Sequence, residues 1–291
     1  MATVTIELVR PYRFDQALKR LSIDPLLQLN HEHQELFVPL WIDDKPVPVR
    51  MLQTGSMERP VFQLEWDEAD EKAVTSEVAR LFQWETDLGA VADAFKGTEL
   101  DPLFQQFRHT PFICDFQRYG SLVKTIIHQQ LNMTFAFTLS TRFVHETGFE
   151  KSGVWFYPYP ETTAALGVAD LRELQFSGRK AEYVIDTSAL IAEGRLSLDS
   201  LVLKDKEEAV AALKAVRGIG RWTAENFLMF GLGELDLFPV QDIGLQNGWK
   251  KLRGLDQKPK AEELDYVAKA WPPYRTYAAL YLWESIESPP L

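Results

Sequence analysis

The sequence predicts an α+β domain over residues 1–95 followed by an all-helical region over residues 96–291. Two observations carry this reading. In the first part, polar and apolar side chains alternate with the two-residue period of strands, interrupted by short helical stretches. After about Asp93 the apolar residues recur at three- and four-residue spacing between Gly and Pro, the pattern of successive helices.

The elements follow in order. Residues 3–8 and 61–66 alternate as strands with one solvated face. Residues 36–41 and 47–52 also read as extended, and their prolines, Pro39 and Pro48, suit an edge or a turn because proline lacks an N–H. Phe14–Leu21 is a short amphipathic helix and residues 71–84 a longer one. Residues 121–145 carry apolar side chains at helical spacing, with a break expected near the polar pair Gln129 and Gln130. Further helices are expected at 170–174, 180–192, 207–216, 222–230, 242–251, 262–270 and 275–286, with no strand among them.

Composition excludes several classes. A 46% hydrophobic content can bury a substantial core, and no apolar run reaches the ~18 residues of a membrane span or forms a secretory leader, so a cytosolic protein is expected. The single cysteine, Cys114, cannot build a disulfide framework, a cysteine zinc site or an iron-sulfur cluster, and suits a buried small side chain. His31 and His33 lack partners at metal-ligand spacing and read as a solvated loop. A net charge of −11 argues against bulk electrostatic attraction to a polyanion, so any such binding must come from local geometry.

The most informative stretch runs from Leu213 to Ala224. A helix ends near Val216, Gly218 and Gly220 flank Ile219, and a second helix starts by Trp222. Two glycines permit positive φ and let a phosphate reach the backbone unobstructed, while Ile219 anchors the turn in the core. The next helix then turns its free N–H groups toward the phosphate. An ordinary helix-turn-helix with a glycine cap fits the same pattern. Between residues 214 and 253, Lys214, Arg217, Arg221, Lys250, Lys251 and Arg253 outnumber the acids, which favours an anionic partner.

The stretch Val216-Arg217-Gly218-Ile219-Gly220-Arg221-Trp222-Thr223-Ala224 resembles the hairpin of the helix-hairpin-helix DNA glycosylase superfamily, L-P-G-[IV]-G-x-x-T-A. It departs at Arg217, where the family has proline, and this places a cation beside the phosphate site. The resemblance implies an all-α glycosylase fold for the second region, DNA contacts from Arg217, Gly218, Ile219, Gly220, Arg221 and Thr223, and a backbone-bound monovalent cation at Gly218 and Gly220. No other cofactor and no side-chain metal site is implied.

In that superfamily a loop after the hairpin delivers an aspartate at a helix start. Here Asp242, in Phe238-Pro239-Val240-Gln241-Asp242, stands twenty positions after Trp222 and is the expected catalytic residue. Cleaving an N-glycosidic bond builds positive charge on the sugar, which a carboxylate stabilises. Asp242 also suits a plain N-cap, and both roles are compatible. Relatives that cut the strand use a hairpin lysine as amine nucleophile, whereas this chain has Trp222 in the R-K-T-A position, which implies a monofunctional hydrolytic enzyme.

Residues 271–283 resemble the W-x-P-x-R-[ST]-[YW]-A segment of the 3-methyladenine DNA glycosylase II branch. By that match Trp283, Tyr281 and Trp222 line a base pocket, although core packing is the commoner explanation for any single tryptophan. Residues 127–131 resemble the stretch that fills the gap left by a flipped base, making Leu131 a wedge candidate or else a core leucine. Ser177-Gly178-Arg179-Lys180-Ala181-Glu182-Tyr183 resembles a structural helix start of the family. The resemblance implies a monomer acting on double-stranded DNA with a damaged base. A noncatalytic helix-hairpin-helix DNA- or damage-binding protein is the alternative.

Overall fold

A computed structural model describes residues 1–287. The first part comprises β1 (Ala2–Glu7), α1 (Phe14–Leu21), β2 (Leu29–Asn30), β3 (Glu35–Ile42), β4 (Lys45–Gly55), β5 (Pro60–Trp66), α2 (Glu71–Leu81) and α3 (Leu88–Asp93). The strands form one antiparallel sheet in the order β1-β5-β4-β3-β2. One face is apolar at every second residue: Leu36, Val38 and Leu40 of β3 meet Val49 and Met51 of β4 and Phe62 and Leu64 of β5. Each such side chain taken from water contributes about 1.5–3 kcal/mol, which holds the sheet against α1 and α2. Tyr12 just before α1 locks the layers together by donating its hydroxyl to the Phe82 carbonyl at 2.8 Å.

Pro39 and Pro48 face each other across β3 and β4 where the outer side of each strand is unpaired, a local edge as expected. Neither has an N–H, so the pair can occupy only a non-hydrogen-bonded position of the ladder. On their outer sides the pairing of β2 ends at Leu36 and that of β5 begins at Val49, so no ladder bond is lost.

The second part comprises α4 (Asp101–Gln106), α5 (Arg118–His128), α6 (Met133–Thr147), β6 (Phe149–Lys151), β7 (Val154–Phe156), α7 (Pro160–Ala164), α8 (Val168–Glu173), α9 (Gly178–Ala192), α10 (Leu198–Leu201), α11 (Lys206–Lys214), α12 (Arg221–Phe227), α13 (Ile243–Arg253), α14 (Ala261–Ala268) and α15 (Arg275–Glu287). The break expected at residues 129–130 is present between α5 and α6, and α12 passes into a π-helical turn at Leu228–Leu232.

The region is not all helix. The hairpin of β6 and β7 escapes sequence reading because its strands have three residues each, too short for an alternation to register. It clips the two parts together: Lys151 Nζ donates to the Pro46 carbonyl at 2.8 Å, Gln28 Nε2 to the Gly153 carbonyl at 2.6 Å, and Trp41 packs edge-on against Phe149 and Phe156. The hydrophobic core is correspondingly continuous from the sheet to α15. No helix among the described residues is long and apolar enough to cross a membrane.

Candidate active site

A cavity of about 1190 Å³ opens where α1 and β3 of the sheet layer face α5, the hairpin between α11 and α12, and the start of α13. Its lining includes Gln129, Leu131, Gly218, Gly220, Trp222, Thr223, Asp242 and Trp283, which the sequence scatters over more than 150 positions.

Asp242 is the N-cap of α13, its Oδ1 accepting the Leu245 amide at 2.9 Å. The same carboxylate accepts two indole N–H groups: Trp283 donates to Oδ1 at 3.0 Å and Trp222 to Oδ2 at 2.8 Å. A carboxylate has about four acceptor positions. Both on Oδ1 are used, and one on Oδ2 remains for a water or substrate. The two tryptophans therefore fix the carboxylate plane from opposite ends of the chain segment. Gly244 makes this possible, since a Cβ there would lie 2.9 Å from Asp242 Oδ1 and 2.9 Å from Trp283 Cδ1.

Trp222 is half-buried and lines the cavity. Trp283 has little free face, because Phe230 stacks on its ring at 5.9 Å and the Arg20 guanidinium lies over it at 5.7 Å. It acts as a donor more than as a stacking platform. Tyr281 does not belong to the pocket. It is fully buried, donates its hydroxyl to the Thr110 carbonyl at 2.9 Å and packs on Phe104 and Phe107. On α15 it lies two positions from Trp283, about 200° around the helix, so the two side chains point to opposite sides.

The hairpin has the expected shape with a different division of labour. Gly218 sits at φ 90°, and a Cβ there would strike the Tyr183 ring at 2.3 Å, so this glycine answers to α9 behind it. Gly220 has open space where its Cβ would be, leaving the backbone at the start of α12 approachable from outside. Ile219 is buried and anchors the turn. Arg217 and Arg221 are exposed but not free cations: Arg217 is held between Glu182 and Asp186, and Arg221 between Glu207 and Glu225. Glu182 and Asp186 of α9 neutralise Arg217, while Arg221 is neutralised by Glu207 of α11 and by Glu225 four positions on in α12.

Thr223 does not face outward either. It is buried, and its hydroxyl accepts from Gln129 Nε2 at 2.8 Å. That amide also donates to the Gly218 carbonyl at 2.9 Å, so Gln129 ties the hairpin to the end of α5. Lys180 in turn donates to the carbonyls of Ile127 and Gln129, capping α5, and burial pushes its amine down to about 8. The carbonyls proposed for a cation are already engaged, Gly218 by Gln129 and Gly220 by the Ala224 amide. Each of these carbonyl oxygens keeps a second lone pair that a monovalent cation could use.

Leu131 is half-buried and packs against the core at the cavity rim. Its neighbour Gln130 is the exposed residue of that turn, at φ 56°.

Residues overlooked in the sequence pin the aspartate from behind. Arg275 grips Asp236 with two bonds of 2.7 and 2.8 Å, and the Thr276 hydroxyl donates to the Glu234 carbonyl at 2.8 Å and accepts from the Leu237 amide at 3.2 Å. The segment leading to Asp242 is thus stapled to the start of α15. The signal was present in the W-x-P-x-R-[ST] pattern, whose arginine and threonine carry this role.

Comparison with known proteins agrees with this geometry. The model of the HhH-GPD superfamily of base excision DNA repair proteins matches residues 123–273. A Bacillus subtilis protein, YfjP, provisionally named a DNA-3-methyladenine glycosylase, is 47% identical over 97% of this chain and 98% of its own. The 3-methyladenine DNA glycosylase structure from Archaeoglobus fulgidus superposes with a TM-score of 0.83 over 97% of both chains at 22% identity. The 3-methyladenine DNA glycosylase Mag1 of Schizosaccharomyces pombe, solved with abasic DNA, gives 0.60 at 25% identity over 67% of this chain and 95% of that one. With its hairpin, its capped aspartate and these relatives, the chain belongs to the HhH-GPD superfamily of base excision DNA repair proteins.

Proposed function

We propose that the protein is a monofunctional DNA glycosylase that removes alkylated bases from duplex DNA by hydrolysis, acting as a monomer in base excision repair. The observation that carries this reading is the carboxylate of Asp242, held by Trp222, Trp283 and the Leu245 amide at the wall of a cavity beside the hairpin.

The hairpin backbone at Gly220 takes a phosphate, and α12 directs its first N–H groups and positive end toward it. The flipped nucleotide then enters the cavity. Exposed Gln130, ahead of Leu131, is the side chain placed to fill the vacated stack. As the glycosidic bond breaks, positive charge develops on the sugar, and the fixed carboxylate stabilises it without reorganising. The remaining acceptor position on Oδ2 orients the attacking water. No step passes through a cation. Trp222, in the place where bifunctional enzymes carry an amine, supports hydrolysis without strand cleavage.

The test is release of free base from methylated duplex DNA, resolved by chromatography. Asp242→Asn keeps an N-cap and should lower the rate by at least about 10²–10³-fold while DNA binding persists. Base release by the variant at the wild-type rate, or a borohydride-trapped adduct with wild-type protein, contradicts the proposal.

A further inference from the structure

The sheet layer reaches the catalytic carboxylate through one side chain. Arg20 stands in the last turn of α1, whose Phe14, Ala17 and Leu18 are buried in the core. Its Nη1 donates to Glu284 Oε1 at 3.1 Å and to Glu287 Oε2 at 3.0 Å, both on α15. Trp283 directly precedes Glu284, and the guanidinium carbon lies over its ring, 5.7 Å from the centre. The N–H of that ring is the donor to Asp242 Oδ1 at 3.0 Å. Two acids, a guanidinium, an indole and the carboxylate therefore form one chain of direct contacts.

A staple between the two parts of the molecule would need only the ion pairs. The added contact with the ring matters because of what else bounds it. Phe230 stacks on the indole at 5.9 Å, and the backbone at Gly244 is so close that a Cβ there would lie 2.9 Å from Trp283 Cδ1. Arg20 is the contact from the sheet layer, and it lines the cavity together with Trp283. Taking the guanidinium away opens space beside the ring and lets the N–H swing off Asp242. Glu284 keeps the guanidinium in place: only 5% of its side chain is open, and a carboxylate so covered needs a cation beside it. A cation over an aromatic face also draws on the ring's electrons, which strengthens its N–H as a donor.

We propose that Arg20 is a positioning residue for base excision: held by Glu284 and Glu287, it fixes and polarises Trp283, whose N–H in turn fixes the Asp242 carboxylate. The inference deepens the glycosylase reading above and rests on it. It gives the sheet layer a part in the chemistry, carried to the transition state through the indole alone. Loss of a cation–π contact at a partly desolvated site corresponds to about 5- to 30-fold in rate.

Arg20→Lys retains a cation for the covered Glu284 and so the fold, but an ammonium does not reproduce the planar guanidinium. Single-turnover base release from methylated duplex DNA should slow about 5- to 30-fold with affinity for the duplex nearly unchanged, and Arg20→Met should slow it at least as much. Unchanged release by both variants overturns the proposal. The deciding comparison uses Trp283→Phe, which has no indole N–H: in that background Arg20→Lys should change the rate by less than about twofold. The same loss in both backgrounds marks a plain staple and overturns the positioning role. A second readout needs no catalysis. Deuterium exchange of the Trp283 indole proton, followed by NMR, should be at least about fivefold faster in Arg20→Lys. The indole proton of Trp66, donated to the Ala69 carbonyl at 3.1 Å, should exchange as in wild type. Equal acceleration of both protons, or of neither, overturns the contact. Selective acceleration at Trp283 in a protein that releases no base supports the contact and counts against the glycosylase reading alone.

Discussion

Replacing Gly244 by alanine puts the catalytic geometry under a sharp test. At an unobstructed helical position the change would stabilise the fold by about 0.4–1 kcal/mol, because alanine loses less backbone freedom. Here the new methyl would sit 2.9 Å from Asp242 Oδ1, 2.9 Å from Trp283 Cδ1 and 3.0 Å from Trp283 Nε1. An ordinary contact begins near 3.4 Å, so acceptor and donor must separate by roughly half an ångström. That weakens the 3.0 Å bond between them, and a hydrogen bond to a charged group is worth about 1.5–3 kcal/mol. If the held carboxylate is what the transition state uses, kcat should fall about 10- to 150-fold with KM nearly unchanged. Single-turnover base release gives the rate and thermal unfolding gives the stability. Trp283→Phe, which keeps a ring but deletes the donor, should fall in the same range. A Gly244→Ala protein with raised Tm and kcat within twofold of wild type would refute the tryptophan clamp.

Other expectations concern the frame. Gly220→Ala meets nothing within 4 Å, so stability should hold or rise by up to about 1 kcal/mol while affinity for duplex DNA drops, measured by fluorescence anisotropy. Gly218→Ala should instead lower Tm, having φ 90° and the Tyr183 ring 2.3 Å away. Arg275→Ala frees the segment before Asp242 and should cost about 1–3 kcal/mol in denaturant unfolding, with a lower kcat. His128, which bonds Ser140 at 2.8 Å, is pushed down to about 3 by burial, then by Lys124 and Lys180. Its folded pKa is below its unfolded one, so the unfolded chain takes up the proton first. The stabilisation is complete above about pH 6.5 and declines as pH falls toward 3, by at most about 2 kcal/mol at pH 5. Denaturant midpoints at pH 7 and pH 5 should differ less in His128→Gln than in wild type.

Local pattern was enough for much of this protein. Alternation placed the four longer strands of the sheet, three- and four-residue spacing placed α1 with its bounds, and glycines around Ile219 marked the hairpin with Asp242 to follow. Such features depend on neighbours in the chain, and backbone sterics and one-sided burial write them directly into residue order. What the site does with its side chains depended on segments that meet only on folding. Gln129 reaches Thr223 across 94 positions, Arg20 reaches Glu284 across 264, and Trp283 reaches Asp242 across 41. The family resemblance offered both Tyr281 and Trp283 for the pocket, and the packing of α15 sent one into the core and the other to the carboxylate. Likewise the charges of Arg217 and Arg221 were legible, with Glu225 one turn after Arg221, while Glu182 and Asp186 of α9 and Glu207 of α11 meet them only on folding. A one-dimensional pattern fixes which face a residue occupies, and tertiary packing alone decides what stands opposite that face.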